Sequence, residues 1–92
     1  MDTLNQEQIE AALGELGEWG FEHEALTRTF RFADFPHAID FVEHLAEVAE
    51  RRQHHPDIDI RSNKVTLRLS SHDAGGVTQR DVERAEAVER LV

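Results

Sequence analysis

The chain has 92 residues, nineteen acidic and ten basic side chains, a formal net charge of −9 at pH 7 and no cysteine. This length suits one domain, residues 1–92, with a single core. The charge makes nucleic acid and anionic membrane surfaces poor partners, and the lack of cysteine excludes disulfides, thiolate nucleophiles and cysteine-based metal sites.

The first predicted element is a helix over residues 4–16, where apolar side chains recur at helical spacing among Gln and Glu. Gly17 and Gly20 follow it and favour a change of chain direction. The opening decapeptide, MDTLNQEQIE, has neither the basic start nor the apolar run of a secretory signal, and no apolar run reaches membrane-spanning length. We therefore expect a cytoplasmic protein without membrane contacts.

A hairpin and a long central helix are predicted next. Residues 19–24 and 26–32 read as two short strands, the second with phenylalanines alternating with polar side chains. Asp34 is suited to N-cap the following helix, whose apolar positions repeat at i, i+3, i+4 and i+7. Pro56 disfavours helical backbone at the residue before it, so this helix should end near Gln53. Two adjacent histidines, in the stretch QHHPDIDI, consequently fall at a helix C-terminus.

A second hairpin and a last helix complete the chain. Ile58 and Ile60 alternate with aspartates, residues 61–64 supply a turn, and residues 65–69 alternate apolar with polar side chains. A Gly-Gly turn follows, and Thr78 opens a helix with apolar residues at helical spacing. The order α-β-β-α-β-β-α predicts an α+β fold, a four-stranded antiparallel sheet with three helices on one face.

Three histidines are the candidate catalytic side chains. His54 and His55 are adjacent, and a protonated imidazole at a helix C-terminus is stabilised by roughly 0.5 to 1 kcal/mol, which is a purely structural explanation of the pair. Adjacent helical side chains project about 100° apart, which suits two separate proton transfers better than one shared metal ion. Continued strand alternation places Ser71 on the core face and His72 on the polar face. The weaker alternative is a metal site of one paired histidine with His72 and Asp73.

Asp81 ends a T-Q-R-D stretch that has the form of a capping box opened by Thr78. In that structural role, Asp81→Asn should cost less than about 1 kcal/mol of stability. A contact between Asp81 and the candidate site would add a clear loss of activity to this small loss of stability.

The segment ERRQHHPDIDIRSNKVTLRLSSHDAGGVTQRD, residues 50–81, combines these features in one order. Three residues separate a glutamate from His-His-Pro, and Asn-Lys-Val, a strand ending in Ser-His, a glycine turn and Thr-x-x-Asp follow. The upstream stretch FRFADFPHAIDFVEHLAEVAE, residues 30–50, adds a run of Phe, Asp and Ala, and Trp19 precedes it. From about Leu16 to the C-terminus the chain resembles the pterin-4a-carbinolamine dehydratases, whose element order also agrees.

The resemblance implies dehydration of tetrahydrobiopterin-4a-carbinolamine to quinonoid dihydropterin, which recycles the pterin of aromatic amino acid hydroxylases. It implies no metal and no cofactor, because the pterin is the substrate, and it implies a homodimer or homotetramer. Glu50, one helical turn before His54, would orient that imidazole. The implied catalytic residues are His54, His55, His72 and Asp81, and the implied substrate-binding residues are Glu50, Pro56, Trp19 and Ser71.

Two positions depart from the family pattern. Ile58 stands where the animal enzymes have an aromatic residue, and Ser62 replaces a common tyrosine, so we expect altered pocket packing with activity retained. Relatives that act as RuBisCO assembly chaperones have lost the histidines, whereas this chain keeps all three. The alternative function is a non-catalytic dimerisation or assembly module, because an amphipathic central helix and an open sheet edge both favour partner binding.

Overall fold

The computed structural model describes residues 2–92, and its elements follow the predicted order. In chain order they are α1 (Gln6–Leu16), β1 (Gly20–Glu22), β2 (Ala25–Arg31), α2 (Phe35–Arg51), β3 (Asp57–Arg61), β4 (Lys64–Leu69) and α3 (Gln79–Glu89). Over residues 2–92, no helix combines the length and the apolar character needed to cross a membrane.

The four strands form one antiparallel sheet in the order β1-β2-β4-β3, so β2 and β4 are central and β1 and β3 are edges. Phe30 lies opposite Val65, and both are buried on the face that the helices cover. The neighbouring pair, Thr29 and Thr66, points to the other face, where the two hydroxyls are 2.8 Å apart. The predicted α+β fold, with helices on one face of the sheet, is confirmed.

Among the element boundaries that differ from the prediction, the start of α1 and the end of β1 have clear local reasons. α1 begins at Gln6 rather than at residue 4, because the Asn5 side chain accepts a 2.9 Å hydrogen bond from the Gln8 backbone N–H and caps the helix. β1 ends before residue 24, because His23 and Glu24 adopt φ angles of 51° and 60° and form the hairpin turn.

α2 is capped as predicted and packs across the centre of the sheet. Asp34 Oδ1 accepts a 2.9 Å hydrogen bond from the His37 backbone N–H. Phe41 places its ring centroid 4.9 Å from that of Phe30, and Leu45 is almost fully buried one turn later. Because this apolar stripe holds α2 against the sheet, the position of its C-terminal end is fixed relative to α3 and β4.

β3 is the element that a single chain leaves uncovered. All of its residues are exposed. Ile58 pairs with Leu67 and Ile60 with Val65, so both isoleucines lie on the helix-covered face of the sheet, yet they are 40% and 38% exposed. The predicted alternation is therefore correct, but the helices cover β2 and β4 and do not extend over this edge.

Candidate active site

The end of α2 determines where the paired histidines point. The helix ends at Arg51, and Gln53 adopts a left-handed φ of 56°. Gln53 then donates its backbone N–H to Glu50 O at 3.2 Å, and His54 donates its backbone N–H to Ala49 O at 3.1 Å. These two bonds form a Schellman motif, which folds the chain back on the last helical turn. As a result His54 does not continue α2, and its side chain lies next to the C-terminal end of that helix, on the side of α3.

His54 and Asp81 face each other at this point. His54 Nε2 is 3.7 Å from Asp81 Oδ1, and the side chains are 17% and 0% exposed. This distance exceeds that of a hydrogen bond. Among residues 2–92 neither atom has a hydrogen-bond partner, although both are buried. Buried polar atoms normally have a partner, so this pair marks a place where a polar ligand or water can bind.

Asp81 is held from behind by two donors. Its Oδ2 accepts a 2.8 Å hydrogen bond from the Ser71 hydroxyl and a 2.9 Å hydrogen bond from the Thr78 backbone N–H. The second bond is the capping interaction that the T-Q-R-D stretch predicts. Ser71 is itself buried, as strand alternation predicts, and it contacts the carboxylate rather than the open space beside His54. Both donors fix Oδ2 and leave Oδ1 directed at the imidazole.

The surroundings of His54 favour its neutral form. Burial lowers the pKa of His54 below its ordinary value of 6.5, and the Arg84 guanidinium lowers that pKa further. The Asp81 carboxylate acts in the opposite direction, and Arg80 and His55 add smaller lowering effects on the pKa. A neutral imidazole that is partly removed from water can accept a proton near pH 7.

A cleft opens beside His54 between the end of α2 and α3. Its walls are mainly apolar, and two arginines and one histidine supply the polar groups. The residues that line it are Leu45, Val48, Ala49, Arg52, His54, Pro56, Leu69, Arg84, Ala87 and Val88. Apolar walls with a few convergent polar groups are typical of small-molecule sites.

Glu50 is not placed as predicted. Its Oε2 lies 2.8 Å from His55 Nε2, and both side chains are largely exposed, so the carboxylate orients His55 and not His54. The reason is the left-handed residue Gln53, which turns His54 inward and leaves His55 on the solvent side over the last turn of α2.

His72 and Trp19 lie outside the His54 cleft. His72 is exposed, as predicted, and it lines a separate surface depression that includes Glu24, Asp57 and Arg68. Trp19 is buried in the core, 4% exposed, with its ring edge against Phe30 and its Nε1–H donated to Glu89 at 3.2 Å. Within one chain the structure therefore brings His54, Pro56, Ser71 and Asp81 together, places His55 with Glu50 beside them, and separates His72 and Trp19.

The alternative metal site has no supporting geometry in residues 2–92. No group of three or more His, Asp or Glu side chains in that range could hold a metal ion. Asp73, which the alternative requires, is paired with Arg80 at 2.8 Å instead.

Two arginines that line the cleft, Arg52 and Arg84, were not among the site residues predicted from the sequence. Helical spacing could have found Arg84, because it follows Asp81 by three residues on α3 and therefore lies on the same helix face. Arg52 carries no such signal, since it enters the cleft only through the turn that ends α2.

Comparison with known proteins gives one consistent result. The family model described as pterin 4 alpha carbinolamine dehydratase matches residues 2–91. A Chloroflexus aurantiacus protein named "putative pterin-4-alpha-carbinolamine dehydratase" is 46% identical over 92 residues, which cover 100% of this chain and 99% of that protein. A Nocardia farcinica protein of the same name is 46% identical over 98% of this chain and 95% of its own length. A crystal structure described as transcriptional coactivator/pterin dehydratase, from Brucella melitensis, is 33% identical with a TM-score of 0.92, covering 98% of each chain.

Proposed function

Because the chain belongs to the pterin-4a-carbinolamine dehydratase family, we propose that it is a hydro-lyase that dehydrates a 4a-hydroxytetrahydropterin to the quinonoid dihydropterin. The observation that carries this proposal is the pairing of a half-buried imidazole, His54, with a buried carboxylate, Asp81, at the wall of an apolar cleft. In a cell the reaction would recycle the pterin used by an aromatic amino acid hydroxylase.

The proposed reaction needs one acid and one base on a flat heterocycle. The bond from C4a to the hydroxyl oxygen breaks, and a proton from the acid completes the departing water. The base removes the proton from N5, and the electrons of that N–H bond form the C4a=N5 double bond. No electron enters or leaves the system, so protein side chains suffice and the pterin is the substrate. Such proton transfers typically contribute about 10²- to 10⁴-fold in rate.

His54 is the proposed base. Burial and Arg84 favour its neutral form, and its imidazole lines the cleft. Asp81 stabilises the imidazolium that forms when the proton arrives, because its free oxygen is 3.7 Å away. Ser71 and the Thr78 backbone keep that carboxylate in place. A mobile acceptor would lose part of this stabilisation to reorganisation, so the two donors have a positioning role.

The proposed acid is one of the two exposed histidines. His55 is adjacent to the base and is oriented by Glu50. His72 follows Ser71, which contacts Asp81, and it lines the separate depression described above. Replacing each histidine in turn separates these two assignments, because only loss of the acid should slow departure of the hydroxyl.

The direct experiment supplies the purified protein with 4a-hydroxytetrahydrobiopterin generated in place by a phenylalanine hydroxylase, and follows quinonoid dihydropterin by absorbance. Spontaneous dehydration in buffer is the reference rate. Acceleration by the wild-type chain, and its loss in His54→Gln with unchanged thermal unfolding, is the expected result. A rate equal to that in buffer at every enzyme concentration would exclude the proposed activity.

We also propose that the protein is a homo-oligomer, a dimer or tetramer, assembled through β3. This strand is a sheet edge with unpaired backbone groups, and it carries the exposed Ile58 and Ile60 on its apolar face. An edge of this kind is normally covered, and a second copy of the chain would cover it by extending the sheet.

The same uncovered strand favours one alternative, a dimerisation or assembly module that binds a partner protein. The Brucella melitensis relative is named as a transcriptional coactivator as well as a dehydratase. Acceleration of pterin dehydration at catalytic protein concentrations decides for the enzyme, because a protein that only mediates assembly does not accelerate the reaction.

A further inference from the structure

Arg84 lies beside the His54 cleft and is not among the residues that hold His54 or Asp81 in position. It follows Asp81 by three residues on α3, and its side chain lines the cleft. Within residues 2–92 its guanidinium forms no ion pair, whereas Arg80 on the same helix is paired with Asp73. Its Nη1 is buried and has no hydrogen-bond partner in that range. Arg84 as a whole is only partly buried, so this one nitrogen is the part of its guanidinium whose contacts a ligand oxygen in the cleft would complete.

The surroundings of Arg84 suit an oxygen acceptor on a flat ligand. Leu69, Ala87 and Val88 contribute apolar surface to the same cleft, and His54 contributes its imidazole. A guanidinium presents planar N–H donors and no acceptor, so its complement is a carbonyl or anionic oxygen. In an apolar cleft a single donor of this kind orients a ligand strongly, because few other polar contacts compete.

We propose that Arg84 is a substrate-contacting residue that donates a hydrogen bond to the ring carbonyl oxygen of the pterin. This inference rests on the proposed function. In the 4a-hydroxytetrahydropterin, the carbonyl carbon is bonded directly to C4a, the carbon that loses its hydroxyl. A contact from Arg84 to that oxygen would therefore place C4a and N5 beside His54, which lines the same cleft.

The same guanidinium also influences the protonation of His54. The charged groups that face His54 are Arg84, Asp81 and Arg80 on α3, together with His55 in its own segment. Arg84 lowers the pKa of His54 more than any other charged neighbour does, and only burial has a larger effect. Removing the Arg84 charge should therefore move the His54 titration to higher pH in the free protein, an effect that needs no substrate.

The test compares Arg84→Met and Arg84→Lys with a matched control, Arg90→Met, in which an exposed arginine past the end of α3 is replaced. At about pH 8, where an unperturbed imidazole is neutral, Arg84→Met should raise KM about 10- to 100-fold with kcat within a few-fold. Arg84→Lys keeps the charge but not the planar donors, so its KM should lie between that of Arg84→Met and that of the wild type. Arg90→Met should behave as the wild type.

The second readout is the His54 imidazole titration, followed by NMR in the ligand-free variants. Arg84→Met should raise the His54 midpoint, while Arg84→Lys and Arg90→Met should leave it close to that of the wild type. Active wild-type protein, together with Arg84→Met that shares the KM of Arg90→Met, would overturn the Arg84 assignment and leave the proposed function intact. Wild-type protein inactive on the carbinolamine would overturn the proposed function, and the assignment with it.

Discussion

The Ser71 hydroxyl donates a 2.8 Å hydrogen bond to the Asp81 carboxylate where both side chains are buried. This bond joins the residues after β4 to the first turn of α3, and the free oxygen of the same carboxylate faces His54. The geometry of the candidate active site is thus tied to the packing of the sheet against the last helix. Changes to either partner should affect stability and catalysis together.

Asp81→Asn should lower the free energy of unfolding by about 1 to 3 kcal/mol, because Asp81 is fully buried and accepts two hydrogen bonds. This loss is larger than the one expected from the sequence, which was less than about 1 kcal/mol for a helix cap at the surface. Asp34→Asn is the matched control, an exposed cap residue whose replacement should cost less. Urea unfolding of both variants, with dehydratase assays, measures the difference. Equal losses of unfolding free energy in the two variants would show that the burial of Asp81 does not increase the cost of its replacement.

Replacing the histidines one at a time should separate catalysis from stability. His55→Ala and His72→Ala should change the free energy of unfolding by no more than about 0.5 kcal/mol, since both rings are exposed. Turnover should fall on the order of 100-fold or more in His54→Gln, and also in the variant that lacks the proton donor. His44→Ala, an exposed histidine on α2, is the control. Wild-type turnover in all three site variants would refute the histidine assignment.

Stability should depend on pH through His54. Its folded-state pKa is lowered, chiefly by burial, so the unfolded chain binds the proton more readily. This contribution to stability is fully present above about pH 6.5 and is lost as pH falls from there through the lower folded-state pKa. The contribution of His37 to the pH dependence of stability has the opposite sign, because Asp34 raises the pKa of His37. The informative quantity is therefore the difference in unfolding free energy between wild type and His54→Gln.

That difference is measured by urea unfolding at intervals from about pH 5 to about pH 7.5. The wild type should lose more stability than His54→Gln as the solution is acidified. Parallel curves for the two proteins would show that burial does not depress the His54 pKa.

Ile60→Lys should weaken self-association, because it puts a charge on the apolar face of the β3 edge. Phe21→Lys is the control, since Phe21 is 38% exposed and lies on the opposite edge strand. Light scattering over a concentration series should show assembly for wild type and Phe21→Lys and a smaller mass for Ile60→Lys. A monomeric mass for the wild type at every concentration would contradict assembly through β3.

The sequence alone determined the element order and the sheet faces, and it predicted His54, Ser71 and Asp81 as candidate site residues. Phe30 and Val65 are buried because side chains on a strand alternate between faces, and this two-residue period is present in the amino-acid sequence. The left-handed Gln53 was not visible, because a non-glycine residue in that conformation has no reliable sequence signal. Its effect was to pair Glu50 with His55, against the prediction.

Only the tertiary structure decided which candidates meet. His54, Ser71 and Asp81 come from three separate segments, and their contacts exist because α2, β4 and α3 pack on one core. The full burial of Asp81 and the lack of a hydrogen-bond partner for Arg84 Nη1 within residues 2–92 follow from the same packing. Local spacing specifies which side chains share a face of one element, but burial and the pKa shifts that follow from it depend on the neighbouring elements that exclude water.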